Sequence, residues 1–390
     1  MLSFDNTEVA FSGKSNAELN RAYWLFKLIG NPSLVKVGKQ ITNFALGLNL
    51  PIGWAIKPTI FKQFCGGEDI TECSGAIKKL GKYNIGTILD YSVEGKEDDA
   101  AFEATAKEII LTIETAASDK KNIPFSVFKL TGLGTVGLLE KINGGLDNLT
   151  ADEQHAYLDF HRRVESICKK AFEFGVPVFI DAEESWIQDG IDRIAQEMMV
   201  KYNRTNPIIY NTIQLYRHDR LAFLKESFAH ADKEGYFLGV KLVRGAYMEK
   251  ERTRAEKMGY ASPIQPDKES SDRDFNAALE FCIANSEKIA ICAGTHNEDS
   301  SNLLAQLIEK KGIKHNHPHF FFAQLLGMSD HISYNLAHEG YNVAKYVPYG
   351  PVKEVVPYLI RRAEENTSVK GQTGRELSLI IKEKRRRAGK

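Results

Sequence analysis

Arg361 and Arg362 stand side by side in YVPYGPVKEVVPYLIRRAEENTS (346–368), behind a mostly apolar run from Val355 to Ile360. Neighbouring residues of a helix project about 100° apart, so the two guanidiniums cannot share one face. Pro357 cannot sit deep inside a helix, which predicts a helix start near Val355–Pro357 and places both arginines in its first two turns. Cations there oppose the helix dipole. An isolated pair of this kind reads as surface arginines tied to Glu364 and Glu365. A pair beside other polar groups reads as a fork for a carboxylate, a geometry that lysine cannot copy. Such groups are present, because charged and polar residues close one apolar run after another. They are Asp90, Lys129, Asp181, Gln214, Lys241, Arg244, Thr295, His296, Asn297, Gln324, Lys345 and Tyr346. Charge is costly to bury without a partner, so each of these taken singly suits a structural ion pair as well as a ligand contact. Lys129 has Asp90 or Asp181 as a candidate partner. Asp181 also suits an acceptor for loop amides, and His296 either a satisfied core histidine or a donor to a cofactor.

The elements that must position these residues are legible as eight short runs rich in Val, Ile, Phe and Tyr. They are NIGTILDYS (84–92), FSVFKL (125–130), VPVFIDA (176–182), PIIYNTIQLY (207–216), FLGVKLVR (237–244), KIAICAGT (288–295), HFFFAQLL (319–326) and YNVAKYVP (341–348). Runs apolar on both faces suit parallel strands covered on both sides. Longer stretches of helical spacing lie between them, and eight β–α units in a row predict an α/β fold, a (β/α)8 barrel with its chemistry at the strand ends. Residues 15–70 read as helices. The chain therefore divides into an N-terminal helical arm, 1–75, packing on a catalytic barrel, 76–390, that ends in a basic helix. GLGTVG (132–137) matches a dinucleotide fingerprint, but no second strand ending in an acid follows about 20 residues on, so it reads as a loop after the second strand.

Bulk properties exclude several classes. The 51 basic residues equal the 51 acidic ones, so no general attraction to nucleic acid is expected. The basic tail KEKRRRAGK (382–390) reads as a solvated helix end. Five cysteines at irregular spacing, with no CxxC and no HExxH, predict reduced thiols, no metal and a cytoplasmic location. No apolar run reaches the roughly 18–20 residues that span a bilayer. WLFKLIG and FALGLNLPIGWAI in the helical arm leave open a peripheral contact with the inner face of a membrane. The surplus of basic groups at the strand ends suits an anionic, phosphate-bearing cofactor and an anionic substrate. A Schiff-base aldolase-type barrel using Lys129 is the alternative of another class.

The ordered blocks FKLTGLG (128–134), FIDAEE (179–184), NTIQLY (211–216), KLVRGAYMEKER (241–252), GTHNED (294–299), FAQLLGMSD (322–330) and YVPYGPVKEVVPYLIRRAEEN (346–366) make the sequence resemble the proline dehydrogenases, over about residues 80–390. The blocks are closer to the monofunctional, eukaryote-like branch. The resemblance implies a distorted (β/α)8 barrel that binds FAD and oxidises L-proline to Δ1-pyrroline-5-carboxylate. Hydride would pass to flavin N5 and the electrons on to quinone, as the first step of proline catabolism. It implies that Arg361, Arg362 and Lys129 clasp the proline carboxylate, that Tyr346 and Tyr358 wall its ring, that Asp181 supports the site and that Glu94 gates it. Gln214, Lys241, Arg244, Gly245, Tyr247, Thr295, His296, Asn297 and Gln324 would surround FAD. Hydroxyproline is the alternative substrate on the same flavin barrel.

Overall fold

Eight strands form where the apolar runs predict them: β1 Ile85–Tyr91, β2 Phe125–Phe128, β3 Val178–Ile180, β4 Ile209–Gln214, β5 Leu238–Val243, β6 Ile289–Gly294, β7 Phe320–Leu325 and β8 Val343–Tyr349. In the computed structural model, which describes residues 2–47, 53–92, 98–368 and 372–389, they close into a barrel in the order β1 to β8. Their pairing is parallel, for example Tyr210↔Gly239 and Thr212↔Lys241 between β4 and β5. β2, β3, β4 and β8 are buried at every position, as parallel strands covered on both faces must be.

The chain falls into two units, residues 96–323 and residues 1–95 with 324–390. In the first, period-two alternation turns Phe125, Phe179, Tyr210 and Phe321 into one aromatic layer. Phe125 stacks on Phe179 at 4.4 Å and meets Phe321 edge-on at 4.7 Å, and Tyr210 stands edge-on to Phe179 at 5.4 Å. Layers of this kind make the inside of a (β/α)8 barrel a packed floor rather than a pore. The glycine-rich GLGTVG segment (132–137) runs from the end of a short 3-10 turn, Leu130–Gly132, to the start of helix Val136–Asn143. A Cβ on Gly134 would lie 2.8 Å from the Phe160 ring, so close packing of the helix carrying Phe160 accounts for that glycine.

In the second unit, helix Asn16–Ile29 starts with a capping box between Ser15 and Glu18. Its Phe26 and Ile29 share a core with Phe61, Phe64, Leu379, Ile380 and the Val355 and Leu359 face of helix Val352–Ser368. Lys382, Arg385 and Arg386 of the basic tail are exposed, as expected of a solvated helix end, whereas Arg387 is half-buried. Arg387 donates to the Phe11 and Lys14 carbonyls, each at 2.9 Å, and to the fully buried Glu383 at 2.6 Å. All five cysteines are free and buried.

Removing the Phe179 ring leaves a cavity that the Phe125 and Tyr210 rings packed against it cannot fill. Phe179→Ala is expected to destabilise the protein by about 3–5 kcal/mol, measured by urea denaturation at constant m.

Candidate active site

The first unit brings two of the residues singled out in the sequence into one ion pair. Lys241, on β5 and 4% exposed, donates from Nζ to Asp181, which follows β3, and its ammonium stands 5.4 Å from the centre of the Phe179 ring. Asp181 thus meets a lysine from two strands away, and Lys241 crosses above Thr212 on β4, whose hydroxyl donates to the Ile180 carbonyl at 2.8 Å. A buried ammonium survives only with such a partner.

Glu183, two residues beyond Asp181, is a site residue that the sequence reading named only as part of DAEE. Its carboxylate accepts the Thr131 N–H at 3.1 Å and the Thr131 hydroxyl at 2.6 Å, which fastens the loop after β2. Its own N–H donates to Gln188 at 2.8 Å, and its carbonyl accepts from Gln214 Nε2 at 3.0 Å. Burial pushes the Glu183 carboxyl up to about 7, against the pull of Thr131 and of the Lys129 charge. The sequence signal was a second carboxylate at the same strand end, opposite a threonine in KLTG.

Gln214 ends β4 and is 2% exposed. Its Oε1 is buried and has no hydrogen-bond partner among the described residues. Such an acceptor is costly unless a ligand supplies a donor. Arg244, at the end of β5, bonds Asp272 at 2.6 Å, the Thr295 hydroxyl at 2.8 Å and the Ser300 hydroxyl at 3.0 Å. Asp272 carried no signal in the sequence. Thr295 Oγ1 also accepts the Asn297 N–H, and the Asn297 side chain caps helix Glu298–Lys310 through the Ser300 N–H. Arg244, Thr295 and Asn297 are therefore joined, with His296 between them. Gly245 holds φ 138°, and a Cβ there would lie 2.4 Å from the Tyr216 ring, so only glycine lets the chain turn against that ring. Tyr247 precedes helix Met248–Met258. From that helix the fully buried Glu251 accepts the Ser185 N–H and hydroxyl, both at 2.6 Å, capping the helix that follows DAEE.

In the second unit, helix Val352–Ser368 begins before the expected Val355–Pro357, and Pro357 lies inside it. The proline costs only one early hydrogen bond, and the Pro351 carbonyl accepts from both Glu354 and Val355 to start the helix. Arg361 and Arg362 consequently occupy the third turn, beyond the reach of the N-terminal dipole. Tyr358 lies one turn below and between them in azimuth, with the Arg362 guanidinium 5.1 Å over its ring. Arg362, Tyr358 and Tyr346 are all buried.

Lys345 is not at a strand end. It is the third residue of β8, wholly buried, and it binds Asp330 at 2.9 Å with the Leu325 carbonyl at 3.3 Å. Burial alone would raise the Asp330 carboxyl, but Lys14 and Lys345 hold it below the usual carboxylate range. Gln324 accepts the Ser333 hydroxyl at 2.8 Å. Glu94 lies outside the described residues.

Residues 73–375 match the family model described as proline dehydrogenase. Proline dehydrogenase 1, mitochondrial, of Dictyostelium discoideum is 34% identical, over 98% of this chain and 74% of that protein. Hydroxyproline dehydrogenase of Xenopus laevis is 30% identical, over 99% of this chain and 90% of that protein. Among solved structures, proline utilization A of Bdellovibrio bacteriovorus superposes with a TM-score of 0.72 at 20% identity, covering 94% of this chain and 36% of that longer chain.

The Glu183 carboxyl sets a pH dependence. The folded protein holds its proton up to about pH 7, whereas the unfolded chain releases it near 4.5. The stability this contributes is present below pH 4.5 and lost as pH rises through 7. Between about pH 5 and pH 8 the wild type should lose ~1–3 kcal/mol relative to Glu183→Gln. Urea denaturation of both proteins checks this, and a difference that does not change with pH refutes it.

Proposed function

We propose a function from one premise: this chain belongs to the proline dehydrogenase family. Oxidation of proline, a step of its catabolism, is the activity that membership supports. The finer reading is FAD-dependent oxidation of L-proline to Δ1-pyrroline-5-carboxylate, with the electrons passed to quinone. The observation that carries it is the arginine pair with Tyr358 between them on helix Val352–Ser368. Two adjacent, partly to fully buried guanidiniums around an aromatic ring suit a small molecule with a carboxylate at one end and an apolar ring at the other.

The residues present fit a flavin. Gln214 Oε1 is a buried acceptor in want of a donor, and a flavin ring carries an N–H. Gly245 keeps the chain free of a side chain where the backbone turns beside the Arg244 group. Gln214, Lys241, Arg244, Gly245, Tyr247, Thr295, His296, Asn297 and Gln324 are the proposed cofactor contacts. When bound, FAD supplies the two-electron acceptor for the hydride that leaves the ring carbon next to nitrogen.

The chain's own residues bind and orient. Arg361 and Arg362 take the carboxylate together with Lys129, and Tyr346 and Tyr358 restrict the ring to one pose, as near-attack contact requires. Asp181 holds the Lys241 ammonium in place, and that positive charge favours added electron density nearby. The protein needs no nucleophile. The nitrogen must be neutral for its lone pair to replace the departing hydride, so activity should rise with pH until the amine is free.

Arg361→Met and Arg362→Met should each weaken proline binding by about 2–4 kcal/mol, seen as a raised KM with an unchanged unfolding midpoint. A KM for proline unchanged in both variants overturns the carboxylate assignment.

The purified protein should show flavin absorption bands that proline bleaches. A colourless protein that takes up no FAD overturns the flavin reading. The likeness to the Xenopus protein supports hydroxyproline as a second reading, and kcat/KM for the two substrates decides between them.

A further inference from the structure

A cleft of about 750 Å³ lies within the 1–95 and 324–390 unit, and none of the proposed proline or flavin contacts lines it. Its volume suits a small organic molecule, whose sites run to about 300–1,000 Å³. Helix Ile70–Gly81 forms one wall with Glu72, Gly75, Ala76 and Lys79, which share a face at three- and four-residue spacing. Helix Asn16–Ile29 brings Glu18 and Arg21. Gln63 Nε2 donates to the Gly327 carbonyl at 2.8 Å, which ties the segment carrying Phe61 and Lys62 to the loop after β7. Phe61, Leu80 and Leu326 supply apolar walls, and Trp54 lines the cleft while 81% exposed.

The charges in this lining do not cancel. Five basic residues face three acidic ones. Three of the five are matched: Lys79 by Glu18 at 2.5 Å, Lys14 by Asp330 at 2.9 Å, and Lys57 by Glu68 at 2.5 Å and Glu72 at 3.4 Å. Arg21 and Lys62 have no carboxylate partner among the described residues, and the sequence between Glu18 and Glu68 contains no acid to supply one. The Arg21 Nε is also buried with no hydrogen-bond partner among the described residues. A donor in that state costs stability unless something accepts from it.

Gly75 is an independent sign. It lies mid-helix, where glycine is less stable than alanine. A Cβ there would meet no atom within 4 Å, so packing does not require a glycine. Its effect is to keep that wall free of a side chain.

We infer that this cleft binds a small organic dianion, a phosphate monoester or a dicarboxylate carried on an apolar or planar body. Arg21 carries the planar fork that suits phosphate and carboxylate alike, and the exposed Lys62 adds a point charge. The apolar walls and Trp54 take the body of the molecule.

The test is calorimetric titration of the full chain without substrate, so its outcome stands apart from that of the proposed reaction. The probes are phenyl phosphate, phthalate, inorganic phosphate and phenol. Phenyl phosphate or phthalate should bind one to a chain, about tenfold more tightly than inorganic phosphate or phenol, and weaken as salt is added. The tighter of the two identifies the anionic group. Arg21→Gln and Lys62→Gln should each weaken binding about tenfold with an unchanged unfolding midpoint. Gly75→Leu should abolish binding while its unfolding midpoint stays at or above that of the wild type, because leucine is the better helix former. Arg361→Met, in the proposed proline site, should bind as the wild type does. Binding of neither aromatic dianion, equal binding of inorganic phosphate or phenol, or binding undiminished in Arg21→Gln overturns the inference. So does binding that Arg361→Met abolishes.

Discussion

A lysine inside a barrel is the constraint around which the 96–323 unit is organised. The Lys241 ammonium lies 4% exposed over an aromatic ring, where desolvation would be prohibitive without Asp181. Satisfying it fixes much else. Asp181 must leave β3 in the inward register set by Phe179, so the aromatic layer and the ion pair share one alternation. The segment after Asp181 must then turn outward, and Glu183, Gln188 and Gln214 hold that turn by hydrogen bonds. The charge at the floor of the proposed site and the loops at its rim follow from the same pairing.

The unit formed from the two ends of the chain solves a similar problem differently. Lys345 is fully buried on β8, but its partners are structural: Asp330 and the carbonyls that close the loop after β7. One carboxylate serves two lysines, because Lys14 also reaches Asp330 at 2.9 Å. The two barrel lysines look alike as single letters inside apolar strands. Their depth distinguishes them: Lys241 is the fourth residue of its strand and Lys345 the third of a longer one.

The barrel was legible because parallel strands covered on both faces must be apolar throughout, and eight such runs have few other arrangements. The polar strand ends were legible for the converse reason, since a charge closing an apolar run needs an occasion. Partner choice was not legible. Nothing in the letters says that Asp181 meets Lys241, because that depends on which strands adjoin and on inward parity. Helix Val352–Ser368 began early because a proline in its second turn removes only one hydrogen bond, so Pro357 marks no boundary. Lys345 was misplaced by reading it as the close of its run, whereas it is the third residue of β8, which continues to Tyr349. Glu183 and Asp272 act by bracing other residues, and bracing has no spacing rule to betray it.

The 1–95 and 324–390 unit is discontinuous in sequence, which bears on how the protein comes into being. Phe26 and Phe61 complete their core with Val355, Leu359 and Leu379, and the Phe11 and Lys14 carbonyls wait for Arg387. During synthesis the opening segment emerges long before those partners exist, while every residue of the 96–323 unit is available in one uninterrupted stretch. The continuous unit can therefore mature first on the ribosome, and the first helices spend that interval with their apolar faces uncovered. Closing so long a loop carries an entropic cost that grows only slowly with its length. Residues 355–387 thus act as a latch on residues 11–61.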